Sequence, residues 1–337
     1  MSEQGIVYSQ RLGPIRDDQW CCALTRFDLG EFVRAEPITS GLFGQNVFLT
    51  STRGQFVFRG CPHADWQFPK ERWFARQLRE RTEVPVPWPY LVESRTDLFG
   101  WSYVIMPRMP GEPAWDETRS QADWLGIAHA AGQALGQLQE LTWPFAGDYD
   151  LATDTIQPLA TSVAEWLARH VRKSMANSIP LAAASTEPDT PWVEELLAQS
   201  EVAFAESFVP SFVMNDYRLG NMVVESTAPG QWRLSGLFDL MECRMGDGES
   251  DLVRQATVYV DYRGESGLEL VRAFGQGFRE VRPLRPRFAE RYLLHLLRDR
   301  LIYWEFGHGP GRDWYSPDLC LRTYVEQYLP CVDALMA

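Results

Sequence analysis

Apolar and polar residues alternate over Phe32–Ile38, Val47–Thr50 and Gln55–Arg59, a period that predicts three strands near the start of the chain. A short helix is expected before them, around Asp17–Phe27. After them, Trp73, Phe74 and Leu78 recur at helical spacing within Lys70–Arg81. Tyr90–Glu93 and the more apolar Gly100–Met106 read as two further strands. The segment Pro107-Arg108-Met109-Pro110-Gly111 then ends the strand pattern. Beyond it the period becomes helical. Helices are expected over Asp123–Leu141, Ile156–Arg172, Trp192–Phe208, Leu252–Tyr262, Ser266–Arg279, Arg287–Trp304 and Pro317–Leu329, the last stopped by Pro330. Thr142–Asp154 reads as a loop, and Ser174–Pro191, rich in Ser, Ala and Pro, as a mobile connector. The pattern divides the chain into a strand-rich part, residues 1–109, and a mainly helical part, residues 110–337. The fold class is α+β.

One stretch of the helical part departs from that rule. Ser211–Asp251 runs from an apolar Phe212-Val213-Met214 through a polar turn to Met222-Val223-Val224, then through a Pro- and Gly-containing turn to Trp232–Phe238. Two strands so joined form a hairpin. Its geometry brings Asn221, before the first strand, toward Asp239, after the second, with Asp216 one turn upstream. Phosphoryl transfer uses such a set: a carboxylate to orient the attacking hydroxyl, and an amide and a second carboxylate to hold Mg²⁺ against the phosphates.

Asp216-x-x-x-x-Asn221, Asp239, Gly246-Asp247 and Asp251, in this order, resemble the catalytic core of eukaryotic-like kinases, and within them the aminoglycoside phosphotransferase-like small-molecule kinases. The family's loop reads His-Gly-Asp-x-x-x-x-Asn; here Met214 and Asn215 stand at the His and Gly places, which removes the histidine that braces the loop. The resemblance extends through residues 32–262. It implies a bilobal protein-kinase-like fold, with a five-stranded antiparallel N-lobe, a mainly helical C-lobe and Mg-ATP between them. It places a nucleotide-covering loop at Thr39–Asn46, with Gly44 and Asn46 near the phosphates. Arg59 takes the place of the usual phosphate-binding lysine, with Glu71 bracing it. The hinge that reads adenine falls at the Pro107 carbonyl and the Met109 N–H. Asp216 becomes the catalytic base, Asn221 and Asp239 the metal ligands, and Asp247 and Asp251 supports of the loop backbone. The implied reaction moves the γ-phosphoryl group of ATP to a hydroxyl of a small molecule. The alternative is a pseudokinase that binds nucleotide or a partner without turnover, which Arg59 and Met214 favour and the retained Asp216, Asn221 and Asp239 oppose.

Composition narrows the partners. A net charge of −13 argues against nucleic acid and anionic membranes. It reads first as solubility and second as a cleft for a cationic acceptor, aminoglycoside-like or otherwise. Glu249, Asp299, Glu305 and Asp313, among Tyr303, Trp304 and Trp314, would form that cleft. The six cysteines have no C-x-x-C spacing, and the five histidines no metal-ligand spacing. No run of eighteen apolar residues exists, and the N-terminal residues lack the basic-then-apolar order of a secretory signal, so a cytoplasmic location is expected.

Overall fold

Alternation is realised as a sheet. The computed structural model describes residues 13–38, 44–312 and 314–337. Helix α1 (Asp17–Arg26) precedes strands β1 (Phe32–Pro37), β2 (Gln45–Ser51) and β3 (Gly54–Gly60). Helix α2 (Gln67–Arg81) follows, then β4 (Leu91–Glu93) and β5 (Tyr103–Pro107). All neighbours pair antiparallel, in the order β1-β2-β3-β5-β4. One face carries Val47, Leu49, Phe56, Phe58, Tyr103 and Ile105, and α1 covers it with Trp20, Ala23 and Leu24. Phe58 is fully buried there, edge-on to Trp20 at 4.9 Å and stacked on Tyr103 at 5.3 Å. Successive side chains of a strand point to opposite faces. Arg59, next to Phe58, therefore leaves the other face, toward α2.

The chain forms two compact units. The first runs to Gly111 and also takes Tyr149–Thr155 and Ser235–Met241; the second holds Glu112–Asp148, Ile156–Leu234 and Glu242–Ala337. Along the chain, β6 (Glu112–Pro113) and α3 (Gln121–Leu138) come next, then β7 (Gly147–Asp150) and β8 (Thr155–Pro158). Helices α4 (Val163–Ser178), α5 (Ala183–Thr186), α6 (Thr190–Ala198) and α7 (Ser200–Ala203) lead to β9 (Ser211–Val213). Next come β10 (Met222–Ala228), β11 (Gln231–Leu237) and β12 (Arg244–Gly246). Five helices close the chain: α8 (Ser250–Arg263), α9 (Gly267–Val281), α10 (Phe288–Gly307), α11 (Leu321–Glu326) and α12 (Pro330–Met336). Two small sheets, ordered β11-β10-β6 and β8-β7-β12-β9, hold the expected hairpin and the strand that enters the polar turn.

Several expectations need correction. The loop Thr142–Asp154 contains β7, and α4 begins at Val163 rather than Ile156. Ser162 accepts the Glu165 N–H at 3.2 Å while Glu165 accepts the Ser162 N–H at 2.9 Å, a reciprocal cap readable in Ser-x-x-Glu. The proposed mobile connector Ser174–Pro191 is mostly helical and pinned: Thr186 is buried and its hydroxyl accepts from Trp304 Nε1 at 2.9 Å. The helix expected over Trp192–Phe208 is broken into α6 and α7. Pro330 starts α12 instead of stopping a helix, because a first-turn position has no intrahelical use for its N–H. Among the described residues no helix is long and apolar enough to cross a membrane.

The second unit depends on a close crossing of α3 and α9. A Cβ on Gly132 would overlap the Phe274 carbonyl oxygen and lie 2.7 Å from the Phe278 nitrogen. Both neighbours are backbone and cannot rotate away. Gly132→Ala is therefore expected to destabilise the protein by about 1–3 kcal/mol through overpacking. Urea denaturation checks this as a lower midpoint with an unchanged slope.

Candidate active site

In the first unit the site residues gather around Arg59. Its Nη1 donates to Glu71 Oε2 at 2.6 Å, and its Nη2 to Asp239 Oδ1 at 3.2 Å. Glu71 is fully buried, inside α2 rather than at its start, so it does not serve the helix dipole. Two further donors reach it: Gln67 Nε2 at 2.9 Å and the Tyr90 hydroxyl. Burial pushes the Glu71 carboxyl up, against the pull of Arg59 and these donors. Burial also works against the charge on Arg59, but Glu71, Tyr90 and Asp239 more than offset it and hold the guanidinium above its ordinary value. Asp239 lies 180 residues along the chain from Arg59, yet it belongs to the same unit. The Leu237 N–H donates to the Pro85 carbonyl at 2.9 Å, and Ser235 Oγ to the Pro110 carbonyl at 2.7 Å, which ties this segment in place. Asp239 has φ +69°, a left-handed conformation uncommon outside glycine and frequent at functional sites.

Gly44, Asn46 and Arg59 line one small cavity with Gly60, Gln67 and Phe68. Gly44 has φ +67°, and a Cβ there would come within 2.5 Å of the Gly60 carbonyl oxygen, so both backbone shape and space require glycine. Residues 39–43 of the predicted nucleotide-covering loop lie outside the described residues. Pro107 closes β5 opposite Phe56, and the Arg108 N–H donates to the Gln55 carbonyl at 3.0 Å, fixing the turn that leads to Met109.

In the second unit the polar turn is a tightly held loop. Strand β9 pairs with β12 in the register Val213↔Arg244, Phe212↔Met245 and Ser211↔Gly246. Directly after it, the N–H groups of Met214 and Asn215 donate to Asp251 Oδ2 and Oδ1 at 2.6 and 2.8 Å. Asn215 has φ +62°, which asparagine tolerates better than most residues, and this accounts for its standing at a glycine place. Met214 is fully buried. The loop thus gains its rigidity from Asp251 and packing without the missing histidine. Further along, Tyr217 donates to the Ala131 carbonyl at 2.6 Å, and the Leu219 N–H to Gln255 Oε1 at 2.9 Å. Asn221 Nδ2 donates to both the carbonyl and Oδ2 of Asp216, each at 2.9 Å. That leaves Asn221 Oδ1 as the side chain's acceptor.

Sequence reasoning missed the arginines on Asp216. Arg218 Nε donates to both carboxylate oxygens at 3.0 Å, and Arg254 Nε to Oδ1 at 3.2 Å. The signal was present in part: Arg254 and Gln255 follow Asp251 by three and four residues on α8, so all three share the face toward the loop. Asp247 corrects another expectation. Its oxygens accept from the Glu249 N–H at 3.2 Å and from His295 Nε2 at 3.1 Å rather than from the backbone of residues 214–221, and it pairs with Arg285 and Arg291, which with His295 overcome its burial and hold its carboxyl far below the usual range. The free carboxylates expected for a cationic acceptor are also committed. Glu249 pairs with Arg285 and Arg291, Asp299 with Arg300, and Glu305 accepts from Asn177. Trp304 is core, stacked on Tyr315 at 5.0 Å, and Tyr303 already carries Arg254 and Arg300 on its ring; Asp313 lies outside the described residues. Among the described residues no group of three His, Cys, Asp or Glu side chains is placed to hold a metal by itself.

The five-stranded sheet followed by a helical unit defines a kinase-like α+β fold, and solved structures share it. A candidate aminoglycoside phosphotransferase from Ralstonia eutropha JMP134 superposes with a TM-score of 0.62 at 16% identity, over 95% of this chain and 98% of that one. The aminoglycoside phosphotransferase APH(4)-Ia, as a thermostable mutant with ADP and hygromycin B, gives 0.61 at 14% identity over 94% and 97%. The macrolide 2'-phosphotransferase MphH from Brachybacterium faecium gives 0.58 at 15% identity over 85% and 92%. Comparison with curated proteins gives no match. The sequence profile of the phosphotransferase enzyme family matches residues 34–286, and the chain belongs to that family.

Burial pushes the Asp251 carboxyl up from 3.8 to about 7, against the two backbone N–H groups and Arg298. A carboxyl raised on folding contributes stability that is complete below its unfolded value and is lost as pH rises through the folded one. Wild-type protein is therefore expected to lose up to a few kcal/mol from this group between about pH 4 and pH 7. Asp251→Asn should lack this component, which parallel denaturation curves across that range would measure.

Proposed function

We propose that this chain is an ATP-dependent phosphotransferase whose acceptor is a hydroxyl group of a small molecule. The single observation that carries the reading is the loop itself. Asp251 holds the backbone at Met214 and Asn215, and Asn221 holds the next residue, Asp216, from the other end. A carboxylate fixed in this way can orient a hydroxyl and accept its proton.

The residues present fit Mg-ATP. Asn221 has its Nδ2 spent on Asp216 and its oxygen left over. Asp239 is 37% exposed at its side chain, with only Oδ1 engaged by Arg59. One amide oxygen and one carboxylate suit a cation that keeps waters and phosphate oxygens in its shell. Asn221 and Asp239 would hold the ion, Arg59 the α- and β-phosphates with Glu71 bracing it, and Gly44 and Asn46 the phosphate side of the covering loop. The Pro107 carbonyl and Met109 N–H would read the base. The bound nucleotide supplies the transferable phosphoryl group, and the metal neutralises its charge. What the chain contributes is position and proton handling by Asp216.

One observation favours the second reading, a nucleotide-binding protein without turnover. Both oxygens of Asp216 already accept from Arg218, one also from Arg254 and the other from Asn221, which leaves fewer acceptor positions for a substrate hydroxyl. ADP release that depends on an added hydroxyl compound decides between them. Asp216→Asn should lower that turnover by about 10²–10⁴-fold with ATP binding retained. Unchanged turnover would remove Asp216 from the base role.

Asp239→Ala should abolish the gain in ATP affinity that Mg²⁺ provides while leaving metal-free nucleotide able to bind. Calorimetric titration of ATP with and without Mg²⁺ measures this, and an undiminished Mg²⁺ benefit in the variant would exclude Asp239 as ligand.

A further inference from the structure

Among the guanidinium groups of the second unit that lack a hydrogen-bonded carboxylate are Arg244 and Arg298. Arg244 is 5% exposed; its Nε and Nη1 are buried without a hydrogen-bond partner, and the nearest carboxylate oxygen, Asp148 Oδ1, is 3.6 Å away. Asp148 is itself 57% exposed at its side chain, where water screens it. Arg298 donates from Nη1 to the neutral amide oxygen of Asn215 at 3.1 Å, and its Nε is also buried without a partner. Both cations lie over one ring, Trp166, at 3.5 and 4.9 Å from its centroid. Asp299, Asp251, Glu242 and Asp148 act on Arg298 through space and oppose its burial, but its hydrogen bond goes to none of them. Asp251 is taken by the loop N–H groups, and Asp299 by Arg300. Burial pulls Arg244 down to about 10 and lowers Arg298 as well, and it lowers the nearby His170, which both arginines push further the same way.

The placement of this pair joins it to the chemistry. Arg244 stands across from Val213 in the β9–β12 ladder, and Arg298 bonds to Asn215; Asp216 is the next residue. A planar fork of N–H donors matches a carboxylate or a phosphate, and a buried cation without a counterion costs stability until an anion completes it. We propose that Arg244 and Arg298 bind an anionic group, a carboxylate or a phosphate, carried by the hydroxyl-bearing acceptor. This rests on the phosphotransferase reading and replaces the cationic acceptor that net charge suggests, since Glu249 and Asp299, two of the carboxylates that would serve a cation, are already paired with arginines.

A matched set of three-carbon hydroxy compounds tests it: glycerate, glycerol 3-phosphate, glycerol, and the cation serinol. Thermal unfolding is followed with each at low ionic strength, with and without Mg-ADP. Glycerate or glycerol 3-phosphate should raise Tm where glycerol and serinol at equal concentration do not, and which of the two acts separates carboxylate from phosphate. The rise should shrink as salt increases from roughly 0.05 to 0.5 M. In Arg244→Met the apparent anion affinity should fall at least about tenfold, while the ADP-dependent rise in Tm persists. The ligand-free variant should be as stable as wild type or more so, because an uncompensated buried cation has been removed. A Tm raised by serinol but by neither anion, or by ADP but by neither anion, overturns the proposal and leaves the phosphotransferase reading standing. A ligand-free Arg244→Met several degrees less stable than wild type also overturns it, assigning Arg244 to Asp148. Anion binding lost in the variant, with no response to ADP in either protein, keeps the anion site and sinks the phosphotransferase reading instead.

Discussion

The carboxylate of Asp251 sets the terms for the second unit. Its two oxygens take the N–H groups of Met214 and Asn215, which a left-handed residue at 215 turns toward it. Without that acceptor, the buried Met214 donor would be unpaired at the point where β9 ends, at a cost of about 1–3 kcal/mol, and the half-buried Asn215 donor would lose its partner as well. The same helical turn supplies Arg254 to Asp216 and Gln255 to the Leu219 N–H, so one face of α8 fixes the loop at three places. The loop's stiffness therefore comes from the helix that follows it in sequence by thirty residues, and a buried Met214 can fill a place where a polar ring would otherwise be needed.

The first unit solves a different problem, keeping a cation available on a sheet that is mostly apolar. Period-two alternation puts Phe56 and Phe58 in the core and Arg59 on the opposite face. There, Glu71 alone would leave a buried carboxylate with one partner. Gln67 and Tyr90 complete its hydrogen bonds, which is the condition under which a buried ion pair is stable rather than merely present. Asp239 then meets the remaining side of Arg59. Residues separated by most of the chain share a unit because Ser235 and Leu237 are hydrogen-bonded to Pro110 and Pro85.

How much of this was legible in the sequence follows from the range of each signal. The strands and α1, α2, α3 and α10 are periodic over many residues and could be read directly, as could Arg59, Glu71 and the Asp216–Asn221 spacing. The reciprocal cap at Ser162 and Glu165 was legible and overlooked. Elements too short for a period, β6, β7, β8 and β12, were not legible, since a strand of two to four residues is defined by its partner. Pro330 misled because proline marks a helix start as readily as an end. Asp247 misled for a different reason: its partners Arg285, Arg291 and His295 come from α10 and the turn before it, and no local pattern announces a pairing across about forty residues.

Charge shows the same limit of composition. A net charge of −13 describes the whole surface, whereas a ligand meets only the groups near it. Around the loop that carries Asp216 that local inventory is reversed. Arg218 and Arg254 face Asp216, Arg298 faces Asn215, and Arg244 stands beside Val213, while Glu249 and Asp299 are consumed by arginines of their own. A fold that pairs buried charges elsewhere, as Arg59 with Glu71 and Arg300 with Asp299, leaves two guanidiniums over Trp166 without a hydrogen-bonded carboxylate. Stability alone would favour an apolar residue at Arg244. A guanidinium in that environment is a local cost that the proposed anion site would account for.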